Sequence, residues 1–103
     1  MYSEDREAQI IKLGDDIIEC VSALLPESTL DFLEVERILA EYSMRVFFAV
    51  AEANDAAYLL PNHLFEQVVA LRGDHAARWA GEEIADEAIA KQRELRAKAL
   101  ATV

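Results

Sequence analysis

The sequence predicts an all-α fold: an antiparallel bundle of three long helices plus one short helix, over about 3–25, 29–60, 62–72 and 74–100. Three observations carry this expectation. Apolar residues recur three and four apart along most of the chain, the period of a helix with one buried face. Glycine occurs three times and proline twice, too few for the many turns of a β-rich fold. Apolar residues make up 53% of the 103, enough for one core and well above the level of a disordered chain. A chain of this length is read as a single domain, 1–103. It buries roughly 60 to 70% of the surface its unfolded form exposes, so a second subunit would add useful area.

The first helix is expected to begin at Ser3, a good N-cap, with Glu4, Asp5 and Glu7 where the helix dipole favours negative charge. Its apolar face reads Ile10, Leu13, Ile17, Ile18, Val21, Leu24 and Leu25. Gly14 falls inside that face. It costs about 1 kcal/mol against alanine, which points to close approach by another helix. Pro26 ends the segment, because it restricts the residue before it and lacks an amide donor.

Ser28, Thr29 or Asp31 can cap the second helix. Its core face reads Phe32, Val35, Leu39, Tyr42, Val46, Ala49, Val50 and Ala53, and the same phase continues through Ala57 and Leu60. Asn54-Asp55 offers an end near Ala53, but no Gly or Pro stands there. The pattern therefore predicts one helix running to about Leu60 and halted by Pro61. The short helix, 62–72, carries Leu64, Phe65, Val68, Val69 and Leu71, and Gly73-Asp74 reads as a helix end followed by a new cap. The last helix has a narrow stripe of mostly small residues: Ala77, Gly81, Ile84, Ala88, Leu95 and Ala99. So little area per turn means that it packs very close to a neighbour or projects past the end of the bundle. Glu87 to Lys91 and Glu94 to Lys98 form i,i+4 pairs on its flank.

Charge is distributed unevenly. Residues 1–90 carry 19 acidic and 6 basic side chains, and the last 13 carry one acid and four bases. The net charge of −10 disfavours direct binding to a nucleic-acid backbone, which needs a basic surface. It disfavours an anionic membrane for the same reason. It suits a basic patch on another protein. Cys20 is the one cysteine, so there is no internal disulfide framework. No signal-peptide pattern or membrane-spanning run is present, and a cytoplasmic location is expected.

No catalytic or cofactor motif stands out, and no metal site is expected. His63 and Glu66 are i,i+3, but with His75, Asp74 and Cys20 they do not reproduce the Glu-x-x-His spacing of di-iron bundles. Cys20 lacks a basic neighbour that would favour its thiolate. Glu82, Glu83, Asp86 and Glu87 place four acids over about one and a half turns. The fragment Glu83-x-x-Asp86 invites comparison with all-α nucleotide pyrophosphohydrolases, which hold Mg²⁺ between acidic clusters on two facing helices. The chain departs from that pattern. Glu34, Glu36, Glu41 and Glu52 are interleaved with Arg37 and Arg45, and read as a solvated stripe.

Two rings break the pattern. Phe48 falls within roughly 40° of that polar stripe, flanked by Met44. Trp79 lies opposite the small-residue stripe, on the face of Glu83 and Asp86. Either ring is a second core contact or an apolar anchor ringed by charge, the usual make-up of a protein-binding hot spot.

These features point to a small acidic, non-enzymatic protein-interaction module: an inhibitor or antagonist, or an immunity or antitoxin-like protein. Its partner is another protein with a basic surface. Masking a nucleic-acid-binding cleft is one version, since an array of carboxylates can imitate phosphates. The expected contacts are Phe48, Met44, Trp79, Asp15, Asp16, Glu19, Glu82, Glu83, Asp86 and Glu87. The alternatives are a homo-oligomeric (in the simplest case homodimeric) structural or assembly chaperone, and a Mg²⁺-dependent nucleotide hydrolase.

Overall fold

In a computed structural model, which describes residues 4–74 and 82–101, the protein is all-helical among those residues. Five helices follow one another: α1 (Glu4–Val21), α2 (Glu27–Ile38), α3 (Tyr42–Asp55), α4 (Asn62–Gly73) and α5 (Glu82–Ala101). A short 3-10 turn, Ser22–Leu24, extends α1. The centre is α3. It packs against α1 on one side and α5 on another, with α2 lying along it, and α4 closes the gap between α1 and α5.

The core gathers the expected residues from three of these elements. Ile10, Leu13, Ile17 and Val21 of α1, Val46, Ala49, Val50 and Ala53 of α3, and Leu64, Val68 and Leu71 of α4 are all buried. Phe47 is buried with them. A large side chain removed from water in this way stabilises the fold by about 1.5–3 kcal/mol.

The predicted helix over 29–60 is two helices. It breaks at Leu39–Glu41 and ends at Asp55, not at Leu60. At the break, Ala40 has φ 59° and so lies in the left-handed region. The Glu41 amide donates to the Glu36 carbonyl at 2.9 Å and the Ala40 amide to Arg37 at 3.1 Å. That pair of bonds is a Schellman C-cap. The end of α3 repeats it: Ala57 has φ 54°, Tyr58 donates to Ala53 at 2.8 Å and Ala57 to Asn54 at 2.9 Å. Both caps use alanine where glycine is usual, at a cost of about 1–2 kcal/mol each. This is why neither end shows in the sequence.

Leu25, before Pro26, is extended and ends the first segment as expected, but both prolines also begin helices. Pro26 and Pro61 sit at the N-caps of α2 and α4, where their carbonyls accept from Thr29 and Leu30, and from Leu64 and Phe65. Neither Ser28, Thr29 nor Asp31 caps α2, and Pro61 starts a helix where it was expected to halt one.

The break rotates α2. Its core contacts are Leu33 and Glu36, so Phe32, Val35 and Leu39, expected in the core, are exposed. The buried face of α5 is shifted as well. It comprises Ala85, Ala88, Ile89 and Gln92, whereas Ile84 and Ala99 of the predicted stripe are exposed. Ser3, Ala77 and Gly81 lie outside the described residues.

Gly14 lies against another helix, α3, and what fills the space over it is the Arg45 side chain. A Cβ there would stand 2.7 Å from a guanidinium nitrogen of Arg45.

Candidate functional site

Four polar or charged residues are buried among the described ones, Glu36, Ser43, Arg45 and Gln92, and none was expected there. Gln92 is fully buried. Its carbonyl accepts from the Leu60 amide at 2.8 Å, and its amide donates to Asn54 Oδ1 at 2.8 Å and to the Tyr58 carbonyl at 3.2 Å. Asn54 in turn donates to the Ala88 carbonyl at 2.9 Å. The α3–α4 connection is thus tied to α5 by side chains that satisfy its backbone groups. Arg96 adds a bond to the Leu60 carbonyl at 2.9 Å and lies 4.7 Å from the centre of the Phe65 ring.

Arg45 and Glu36, both expected on a solvated stripe, are buried. Arg45 reaches over Gly14 to donate to Asp15 at 2.8 Å. Glu36 sits at the α2–α3 break. Burial first, and then a hydrogen bond with the Glu41 carboxyl, push its pKa from 4.5 up to about 7. Glu36 Oε2 and Arg45 Nε have no hydrogen-bond partner among the described residues.

The acids expected to meet a partner fall into two groups that the fold does not join. In the first, Asp15 holds Arg45 of α3 and Asp16 holds Lys12 at 2.9 Å, while Glu19 has no ion pair among the described residues. In the second, Arg72 of α4 binds Asp86 at 2.7 Å and approaches Glu82 at 3.6 Å. The guanidinium of Arg72 holds the Asp86 carboxyl below its usual range. Glu87 pairs with Lys91 at 3.2 Å, and Glu83 is exposed. Most of these carboxylates thus already have a cation from this chain.

Phe48 is half-buried and packs against the core. It meets Phe32 edge to face, with centroids 5.5 Å apart and planes at 69°. Met44, one turn earlier, is also half-buried. Trp79 lies outside the described residues.

Phe48 thereby touches a stripe of partly exposed apolar side chains on α2. Phe32, Val35 and Leu39 recur at i, i+3 and i+7 on α2 and form one stripe. They are 46%, 47% and 60% exposed, and Ile38 beside them is 72% exposed. A run of large apolar side chains open to water marks an interaction surface more often than an isolated one does. Glu27, Asp31 and Glu34 line one flank, all exposed. Among the described residues only Glu34 of these three has a cation, Arg37 at 3.5 Å. The stripe was legible as apolar; nothing in its spacing distinguishes it from a core face.

Among the described residues no three His, Cys, Asp or Glu side chains converge to hold a metal ion, and no helix is long and apolar enough to cross a membrane. A shallow cleft of about 190 Å³ lies between Asn54, Asp55, Lys91, Glu94, Leu95 and Lys98. No protein-family model, characterised protein or solved structure matches the chain.

Proposed function

We propose that the protein is a non-enzymatic docking module whose contact surface is the outer face of α2, extended onto α3 by Phe48 and Met44. The reading rests on one observation. The Phe32–Val35–Leu39 stripe, with Ile38, is close to half exposed or more, and of the acids on its flank only Glu34 has a cation among the described residues. A surface of this kind matches a partner that sets Lys or Arg beside apolar side chains. The apolar part supplies affinity, and the charges set orientation and the rate of encounter. An antagonist of a basic protein surface works in this way.

The double substitution I38S/L39S tests the reading, since both side chains are largely exposed. Material captured from source-cell extract on the wild-type protein should include a basic protein that is released by high salt. The variant should fold with an unchanged melting temperature and lose that protein. Equal capture by both forms would remove the α2 face from consideration.

A further inference from the structure

We infer that α2 is an arm held by a proton: it stays on α3 while the Glu36 carboxyl is neutral, and opens from α3 at the Leu39–Glu41 turn when that carboxyl ionises. The inference concerns the inner side of α2 and is independent of what the outer face binds.

The attachment of α2 is thin. Its buried residues are Leu33 and Glu36, three apart and so on one line of the helix. It packs mainly against α3, which buries a whole face of its own. One of the two side chains that anchor α2 is therefore an acid. The turn that joins the two helices carries Ala40 at φ 59°, a conformation unfavourable for alanine that the packing of α2 must hold in place. An element with so few buried contacts opens more readily than the core around it.

The surroundings of Glu36 suit only its neutral form. The residue is 6% exposed, and its Oε2 has no hydrogen-bond partner. The charged group that acts on it is another acid, Glu41, at the start of α3. Nearby cations are directed elsewhere. Arg45, one turn beyond Glu41, donates to Asp15 of α1, and Arg37 of α2 pairs with Glu34. A neutral Glu36 has one proton to share with the Glu41 carboxyl. An ionised one is a buried charge without a cation, set beside a second carboxyl, and such a charge is costly until water reaches it. Opening α2 lets water reach it.

The direction with pH follows. In the open arm Glu36 returns to its ordinary value of 4.5, and on α3 burial and Glu41 hold it at about 7. The closed arm is favoured at low pH and loses that advantage as pH rises through about 7. Its opening constant should grow roughly 25-fold between about pH 5.5 and about pH 8.

Amide hydrogen exchange on the full chain, corrected for the intrinsic rate at each pH, reads this directly. Amides over 33–38 should open about tenfold or more as often as the buried amides of α1 and α3, as a unit that opens by itself does. In the wild type their opening constant should show the 25-fold rise over that pH range. E36Q, neutral at every pH, should keep α2 closed and show no rise. E41Q removes the facing carboxyl, leaves burial alone to act on Glu36, and should show a smaller rise than the wild type. The inference is overturned if the α2 amides share the opening constant of the α1 and α3 amides at both pH values, because the arm then leaves only when the whole protein unfolds. It is equally overturned if the variants rise as far as the wild type.

Discussion

The two halves of the 29–60 segment carry the same apolar period and meet opposite fates. In α3 the face Val46, Ala49, Val50 and Ala53 is fully buried, because α1 and α5 lie across it. In α2 the face Phe32, Val35 and Leu39 is close to half exposed or more, because α2 has α3 along one side and its turn at Ala40 points the stripe away. Amphipathic spacing states that a helix has an apolar side. It does not state that something covers it. The difference makes α3 the structural axis of the molecule and leaves α2 available.

The sharpest way to break the comparison is at the polar node behind α3. Gln92→Leu leaves the buried Leu60 amide, the Tyr58 carbonyl and Asn54 Oδ1 without the partner they share, and a buried polar group left unpaired costs about 1–3 kcal/mol. A loss of roughly 3 kcal/mol or more is expected in denaturant unfolding. A loss under about 1 kcal/mol would mean that water replaces the amide and that α5 holds α3 by apolar contact alone.

A matched pair of truncations reads the two helices directly. Val50 is fully buried and Val35 is 47% exposed. Val50→Ala should cost about 2 kcal/mol through lost burial and the cavity left behind. Val35→Ala should change stability by less than about 0.5 kcal/mol, as surface substitutions do. Equal costs would show that α2 is covered after all.

The one acid that α2 buries gives a pH test. In the unfolded chain Glu36 releases its proton near the ordinary value of 4.5, and in the fold near 7. Between those values the folded state holds a proton that the unfolded state has lost. The contribution of neutral Glu36 is therefore complete below about 4.5 and disappears as pH rises through about 7. Thermal melts should show the wild type losing stability over that window relative to Glu36→Gln, which keeps a neutral side chain at every pH. Parallel curves for the two proteins would mean that Glu36 is charged in the fold.

A change of the opposite sign is expected at the turn between the helices. Ala40→Gly removes the left-handed penalty but loosens the unfolded chain, for a net gain of about 0.5–1 kcal/mol. Ala57→Gly should do the same at the end of α3. Calorimetric melting of each variant measures the gain, and destabilisation would show that the Cβ is needed for packing.

Much of the molecule was legible residue by residue. The α1 face, the α3 face and the α4 segment were read from spacing alone, while for α5 the poverty in large apolar residues left close packing and projection past the bundle both open. Three features were not. Gln92, Arg45 and Glu36 look like surface residues in any linear pattern, and only convergence of distant segments gives them buried partners. The helix ends at Ala40 and Ala57 lack the Gly or Pro that signals a stop. The α2 stripe has the spacing of a core face, so its exposure had no local sign. The candidate site lies where sequence and fold disagree.

The sequence by itself determined that the chain is helical, acidic over most of its length and basic at its end, because periodicity, scarcity of breakers and charge are properties of neighbouring residues. Tertiary structure decided where the long middle segment turns, which apolar stripe is covered, and which polar side chains enter the core. Those outcomes depend on neighbours brought in from far along the chain. Their packing and hydrogen bonds outweigh the 1–2 kcal/mol that alanine costs in a left-handed turn, and no local pattern records them.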